Sequence, residues 1–140
     1  MTDREQELNR ALEVMHFGFR AMVLKPDQEL AQLGLSRVHH RLLYFIGRNP
    51  GCSVNELLQI LRVSKQYINR PLRILRERGL VLQQADDSDR RIKRLQLTEA
   101  GSELEKRLSG YQRARFERIF AKLGPAAEQH WYQVMQHLAE

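Results

Sequence analysis

The chain has 140 residues, 42% hydrophobic and 29% charged, with a net charge of +6 and one cysteine. This is the size of one domain with material for an apolar core; a lone cysteine excludes an internal disulfide and a thiolate metal cluster. The longest apolar run, Leu42–Ile46, is far short of a membrane span, and the acidic start MTDREQE is unlike a signal or transit peptide, so the expected location is the cytoplasm.

Residues 5–25 predict a first helix, with Leu8, Leu12, Met15, Phe19 and Met22 or Val23 at helical spacing. Pro26 is expected to interrupt it, leaving one or two turns closed by Gly34. Ser36 caps a second helix to about Arg48, with the stripe Val38, Leu42, Phe45 and with Leu43 and Ile46 beside it. Asn49-Pro50-Gly51 is a strong turn signal. Ser53 and Glu56 have capping-box spacing at the start of a short third helix burying Leu57, Leu58 and Leu61. Ser64 then caps a fourth helix that Gly79 ends, so the two form a helix-turn-helix. Leu80–Gln84 and Ile92–Leu97 read as strands around the polar tip ADDSDRR, a hairpin in the position of a wing. Thr98 caps a long fifth helix terminated by Gly124-Pro125, and a sixth runs from about Ala126 to Leu138. The fold class is mainly α with a small β-hairpin wing. Residues 35–98 form a winged helix-turn-helix, flanked by helical regions at 1–34 and 99–140.

Charge placement points to a polyanion. Between Arg62 and Arg94 lie ten basic and four acidic residues, a net of +6, while the other 107 residues balance at 13 of each sign. A clustered excess attracts a polyanion, whereas a scattered one mostly aids solubility.

The fourth helix, SKQYINRPLRILRERG (64–79), carries much of that charge. With Ile68 at the centre of the buried face, Ser64, Leu72 and Leu75 fall within about 40° of it at 100° per residue. Gln66, Asn69, Arg70 and Arg73 fall on the opposite side. Arg pairs with guanine and Asn or Gln with adenine, so these side chains suit base edges. Ser64 and Lys65 at the helix start are further candidate DNA contacts, and Arg76 and Arg78 are placed for phosphates, which position without reading sequence. A solvated polar face is the plain alternative. Pro71 removes one helix hydrogen bond, from its own nitrogen to the Tyr67 carbonyl, and predicts a kink unless the helix absorbs the defect. On the wing, Asp89 is expected to brace Arg91 while Arg90 reaches a minor groove, an assignment the two arginines can exchange.

Residues 35–101 resemble the winged-helix regulators of the multiple antibiotic resistance repressor (MarR) type. The resemblance rests on VSKQYINRPLRILRERGLV, on the wing DDSDRRIKRLQL and on LTEAG; the flanking helices extend it over nearly the whole chain. Pro71 and Asp87 depart from the family's usual pattern. The resemblance implies a homodimer joined by its terminal helices, a roughly palindromic double-stranded DNA operator, and repression. It also implies a small, often aromatic ligand near the dimer helices. Arg20, His39, Tyr44 and Tyr111 are the candidate ligand residues, with core packing as the alternative role of each. Independently, the apolar stripes of the first, fifth and sixth helices exceed what a winged domain of about 65 residues covers. They predict either burial across a two-fold axis or packing within one subunit.

Cys52, between a turn and a short helix, reads as packed rather than redox-active. The histidines at 16, 39, 40, 130 and 137 form no metal-ligand spacing, and no nucleophile motif or phosphate loop is present, so no metal, cofactor or catalysis is expected. A protein-interaction module built on the winged fold is the alternative reading; it would need an apolar rather than an arginine-rich exposed face on the fourth helix.

Overall fold

A computed structural model describes all 140 residues. The elements are α1 (Asp3–Gln32), α2 (Arg37–Arg48), β1 (Cys52–Ser53), α3 (Val54–Leu61), α4 (Lys65–Glu77), β2 (Val81–Ala85), β3 (Lys93–Leu97), α5 (Glu99–Leu123) and α6 (Pro125–Leu138). They divide into a winged unit, Val23–Ser109, and a helical unit made of Met1–Met22 and Gly110–Glu140.

In the winged unit the apolar stripes of α2, α3 and α4 meet. Leu42, Leu43, Ile46, Leu57, Ile68 and Leu75 are fully buried, and Leu30 of α1 and Leu108 of α5 complete the same core. The centre of the α2 stripe lies at Leu42, Leu43 and Ile46, leaving Val38 and Phe45 half-buried at its margin. The sheet is antiparallel with order β1-β3-β2. The expected hairpin is present, with Val81 opposite Leu97 and Ala85 opposite Lys93. The strand β1 was not anticipated; two residues carry too little pattern to be read, and only pairing of Cys52 with Leu95 and Ser53 with Arg94 defines it.

The helix ends follow local chemistry. Ser53 Oγ accepts from the Glu56 amide at 3.0 Å. Thr98 Oγ1 accepts from the Gly101 amide at 3.0 Å and donates to the Gly79 carbonyl at 2.6 Å, so one hydroxyl starts α5 and fixes the segment leaving α4. Gly34, at φ +69°, closes the segment after α1, and Pro125 takes the first position of α6.

The expected break at Pro26 does not occur: α1 is continuous from Asp3 to Gln32. Pro26 deprives the Met22 carbonyl of its helical donor, and the side-chain amide of Gln112 lies within reach of that oxygen at 3.5 Å. Pro26 itself is buried, as are Val23 and Leu30 on the same helix. Apolar burial of that face outweighs one missing bond. The helix α4 likewise continues through Pro71.

The helical unit is sparsely covered. Every residue from Met1 to Arg20 is exposed. A cluster of stacked and edge-on rings joins Phe116, Phe120, Trp131 and Tyr132 of α5 and α6. In the same unit Leu8, Leu12, Phe19, Ile119, Val134 and Leu138 stay exposed.

Candidate nucleic-acid interface

The turn between α3 and α4 is made by Arg62, which ends α3 at φ +57°, the one non-glycine residue in the left-handed region. The Val63 amide returns to the Leu58 carbonyl at 3.2 Å, and Ser64 begins α4 immediately. A tight reversal of this kind sets α4 across α3 and turns one of its faces outward.

That outward face holds Lys65, Gln66, Asn69, Arg70 and Arg73, all exposed, while Ile68, Leu72 and Leu75 are buried. Arg76, exposed in the last turn, adds a further cation, and Ser64 is exposed with no side-chain capping bond. Arg73 lies 3.9 Å from Glu77 with both side chains more than half exposed, a pairing that contributes little. Arg78, also exposed, has a partner within the chain that the sequence did not disclose. Its guanidinium donates to the Leu33 carbonyl just beyond the end of α1, where the acceptor groups of a helix terminus are uncompensated.

The wing tip is organised by two aspartates. Asp86 Oδ2 accepts from the Ser88 and Asp89 amides, each at 3.0 Å, and its Oδ1 accepts from Arg94 Nε at 3.0 Å. Arg94 also donates to Glu56 Oε1 at 3.0 Å and approaches the Gly51 carbonyl, so it ties the hairpin to β1 and α3. Asp89 accepts Arg91 Nε at 3.1 Å and Nη2 at 3.0 Å, a two-pronged pair completed by the Arg91 amide. These hydrogen bonds hold both carboxyls below the usual range: Arg94 is the leading cause for Asp86 and Arg91 for Asp89. The Asp89–Arg91 pair is therefore formed, and the Arg90 side chain is exposed beside it. The sequence reading missed Arg94 as the anchor of the hairpin. An aspartate accepting amides two and three residues ahead is a readable turn signal; the link to Glu56, 38 residues away, has none.

The candidate ligand residues fall in both units. Arg20 and Tyr111 belong to the helical unit and are exposed. His39 and Tyr44 belong to the winged unit. His39 is buried at the start of α2, where Nδ1 accepts from the Ser36 amide at 2.9 Å, and its Nε2 is buried without a partner. Burial is the main cause that lowers its pKa, so the ring is neutral. Tyr44 is half-buried with its ring edge-on to Phe45. None of the four lines the open cleft of about 380 Å³ in the winged unit, whose walls are Asp27, Leu30, Leu35, Ser36, Arg37, Val38, Arg41 and Tyr67. Across that cleft Arg37 pairs with Asp27 at 2.9 Å, and Arg41 donates to the Tyr67 hydroxyl.

Cys52 is buried, and burial is the main cause that raises its thiol pKa, so a reactive thiolate is disfavoured. No helix is long and apolar enough to cross a membrane.

Residues 33–92 match the MarR family. The chain is 38% identical over 136 residues to the HTH-type transcriptional regulator PetP of Rhodobacter capsulatus, covering 97% of this chain and 82% of that protein. It is 30% identical over 118 residues to the HTH-type transcriptional repressor Rv2887 of Mycobacterium tuberculosis, covering 83% and 85%. In fold it is similar to Streptococcus pneumoniae FabT in its complex with DNA, at a TM-score of 0.80 and 18% identity over 96% of this chain and 94% of that one.

Proposed function

Because the chain belongs to the MarR family of transcriptional regulators, we propose that it acts as a homodimer that binds a pseudo-palindromic double-stranded operator and represses transcription until a small ligand weakens the complex. The observation that carries this reading is the division of α4 into two faces: three buried aliphatic side chains hold it to the core, and Lys65, Gln66, Asn69, Arg70 and Arg73 face solvent. An α-helix fits the major groove, where arginine suits guanine and asparagine or glutamine suits adenine. Ser64 and Arg76 take phosphates. On the wing Asp89 holds Arg91, and Arg90 reaches the neighbouring minor groove, whose narrow width concentrates negative potential.

Dimerisation through 1–34 and 99–140 is supported by the apolar residues of α1, α5 and α6 left uncovered in one chain, Leu12 and Phe17 at 62% and 63% exposure among them. A two-fold axis brings two recognition helices to half-sites about 34 Å apart. Repression is supported by the mycobacterial relative named as a repressor. For ligand relief the open cleft beside α4 is one candidate site, lined by none of Arg20, His39, Tyr44 and Tyr111, which remain separate candidates.

Selection of bound fragments from random duplex DNA, followed by titration at several salt concentrations, tests the reading. A recovered inverted repeat, bound by two chains, is expected, with log affinity falling against log salt at about −0.9 per phosphate contacted. A shallow slope with no preferred duplex would instead support an interaction module for another protein.

A further inference from the structure

The first turn of α4 is weakly held by its own helix. Its starting residue, Ser64, makes no side-chain capping bond. Pro71 has no N–H, so the Tyr67 carbonyl lacks the donor that a helix supplies four residues on. One of the four backbone bonds that join the first turn of a helix to the second is thus missing.

Two side chains tie this turn to the rest of the winged unit. Ile68 is fully buried in the core. The Tyr67 hydroxyl accepts from Arg41 Nη1 of α2. A single anchor lets the turn rotate about its point of attachment; two anchors on adjacent residues, about 100° apart around the axis, fix that rotation. Gln66 and Asn69, the amides on the exposed face, flank those anchors.

We infer that Arg41 is a positioning residue for sequence reading: by holding the Tyr67 hydroxyl it sets the rotation of the proline-weakened first turn and so the aim of Gln66 and Asn69. The inference rests on the proposed DNA reading for its consequence, but its structural half stands apart from it. Phosphate contacts depend on charge and reach and are tolerant of small rotations. Two-pronged base contacts are not, since a hydrogen bond weakens steeply as its angle closes. Losing the tether therefore lowers discrimination more than general grip.

The test uses the full chain as wild type, Tyr67→Phe, Arg41→Met and the double variant Tyr67→Phe with Pro71→Ala. Tyr67→Phe removes one oxygen and no charge. Amide exchange without DNA is read first: residues 65–70 should exchange about tenfold faster in both single variants, as the loss of one hydrogen bond implies, with the remainder of the unit unchanged. Restoring the backbone donor at position 71 should return exchange in the double variant toward wild type. Titrations then compare a selected duplex with a random one. The affinity ratio should fall about tenfold in Tyr67→Phe, the scale of one two-pronged base contact, at an unchanged salt slope. Unchanged exchange at 65–70, exchange raised equally across the whole unit, no recovery in the double variant, or an unchanged affinity ratio each overturns the inference. If wild type itself prefers no duplex while exchange responds as stated, the operator reading fails and the tether stands.

Discussion

Gly101, near the start of α5, offers a direct test of how the wing is held. A Cβ built there would stand 2.0 Å from the Leu80 carbonyl oxygen and 2.9 Å from its carbon, against ordinary contacts that begin near 3.4 Å. Both obstructing atoms are backbone, so Gly101→Ala must part α5 from the segment entering β2 by more than 1 Å. That segment is closed by the Thr98 amide on the Leu80 carbonyl at 3.1 Å and by the Thr98 hydroxyl on Gly79 at 2.6 Å. Overpacking costs about 1–3 kcal/mol and each of the two forfeited hydrogen bonds about 1 kcal/mol, which together give a loss of about 3–5 kcal/mol. With a urea slope of about 2 kcal/mol/M, the unfolding midpoint should drop by about 1.5–2.5 M. Gly47→Ala is the control. Its nearest neighbour is Leu97 Cδ1 at 2.9 Å, a side-chain methyl that can turn away, and helix propensity favours alanine by about 1 kcal/mol. A Gly101→Ala loss below about 1 kcal/mol, or an equal loss in Gly47→Ala, would refute the close-approach argument.

Other outcomes are expected at the wing and the core. Arg90→Ala should lower duplex affinity and flatten the salt dependence by about 0.9 per chain, whereas Arg91→Ala should mainly loosen the tip by releasing Asp89; the opposite pattern in salt titrations would exchange the two roles. The carboxyls of Asp86 and Asp89 are depressed by Arg94 and Arg91, so their contribution to wing order is present above the unfolded carboxylate value near 3.9 and lost as pH falls through the lower folded values. Wing amide resonances at 86–92 should hold steady from pH 8 to about 5 and shift only below about 4, and movement above pH 5 would contradict this. Cys52, buried with a raised thiol pKa, should react with a thiol reagent at pH 8 about tenfold or more slower in the native protein than in urea.

What the sequence disclosed was local. Ser53, Thr98, Gly34 and the Gly124-Pro125 pair act within a few residues, so the ends of α3, α5 and α6 were readable from residue type alone. The period of Ile68, Leu72 and Leu75 likewise showed which way α4 faces. What was hidden depends on partners far along the chain. Pro26 reads as a break until Gln112 is seen beside the Met22 carbonyl, 90 residues away. Arg78 reads as a cation with no acceptor of its own until the Leu33 carbonyl, 45 residues earlier, is found against it. The tether from Arg41 to Tyr67 spans 26 residues and leaves no periodic trace. Charge counting shares the same blindness, since it registers a guanidinium without registering its acceptor.

That last point changes how the basic segment behaves. Three of its arginines, Arg78, Arg91 and Arg94, are bound to acceptors of the chain itself, at a helix end, a loop tip and a strand. The acids that hold Arg91 and Arg94 already stand in the net charge of +6, so these pairs leave it unchanged and serve to fix where guanidinium groups sit. Dissolved ions screen the exposed ones as they would any surface pair.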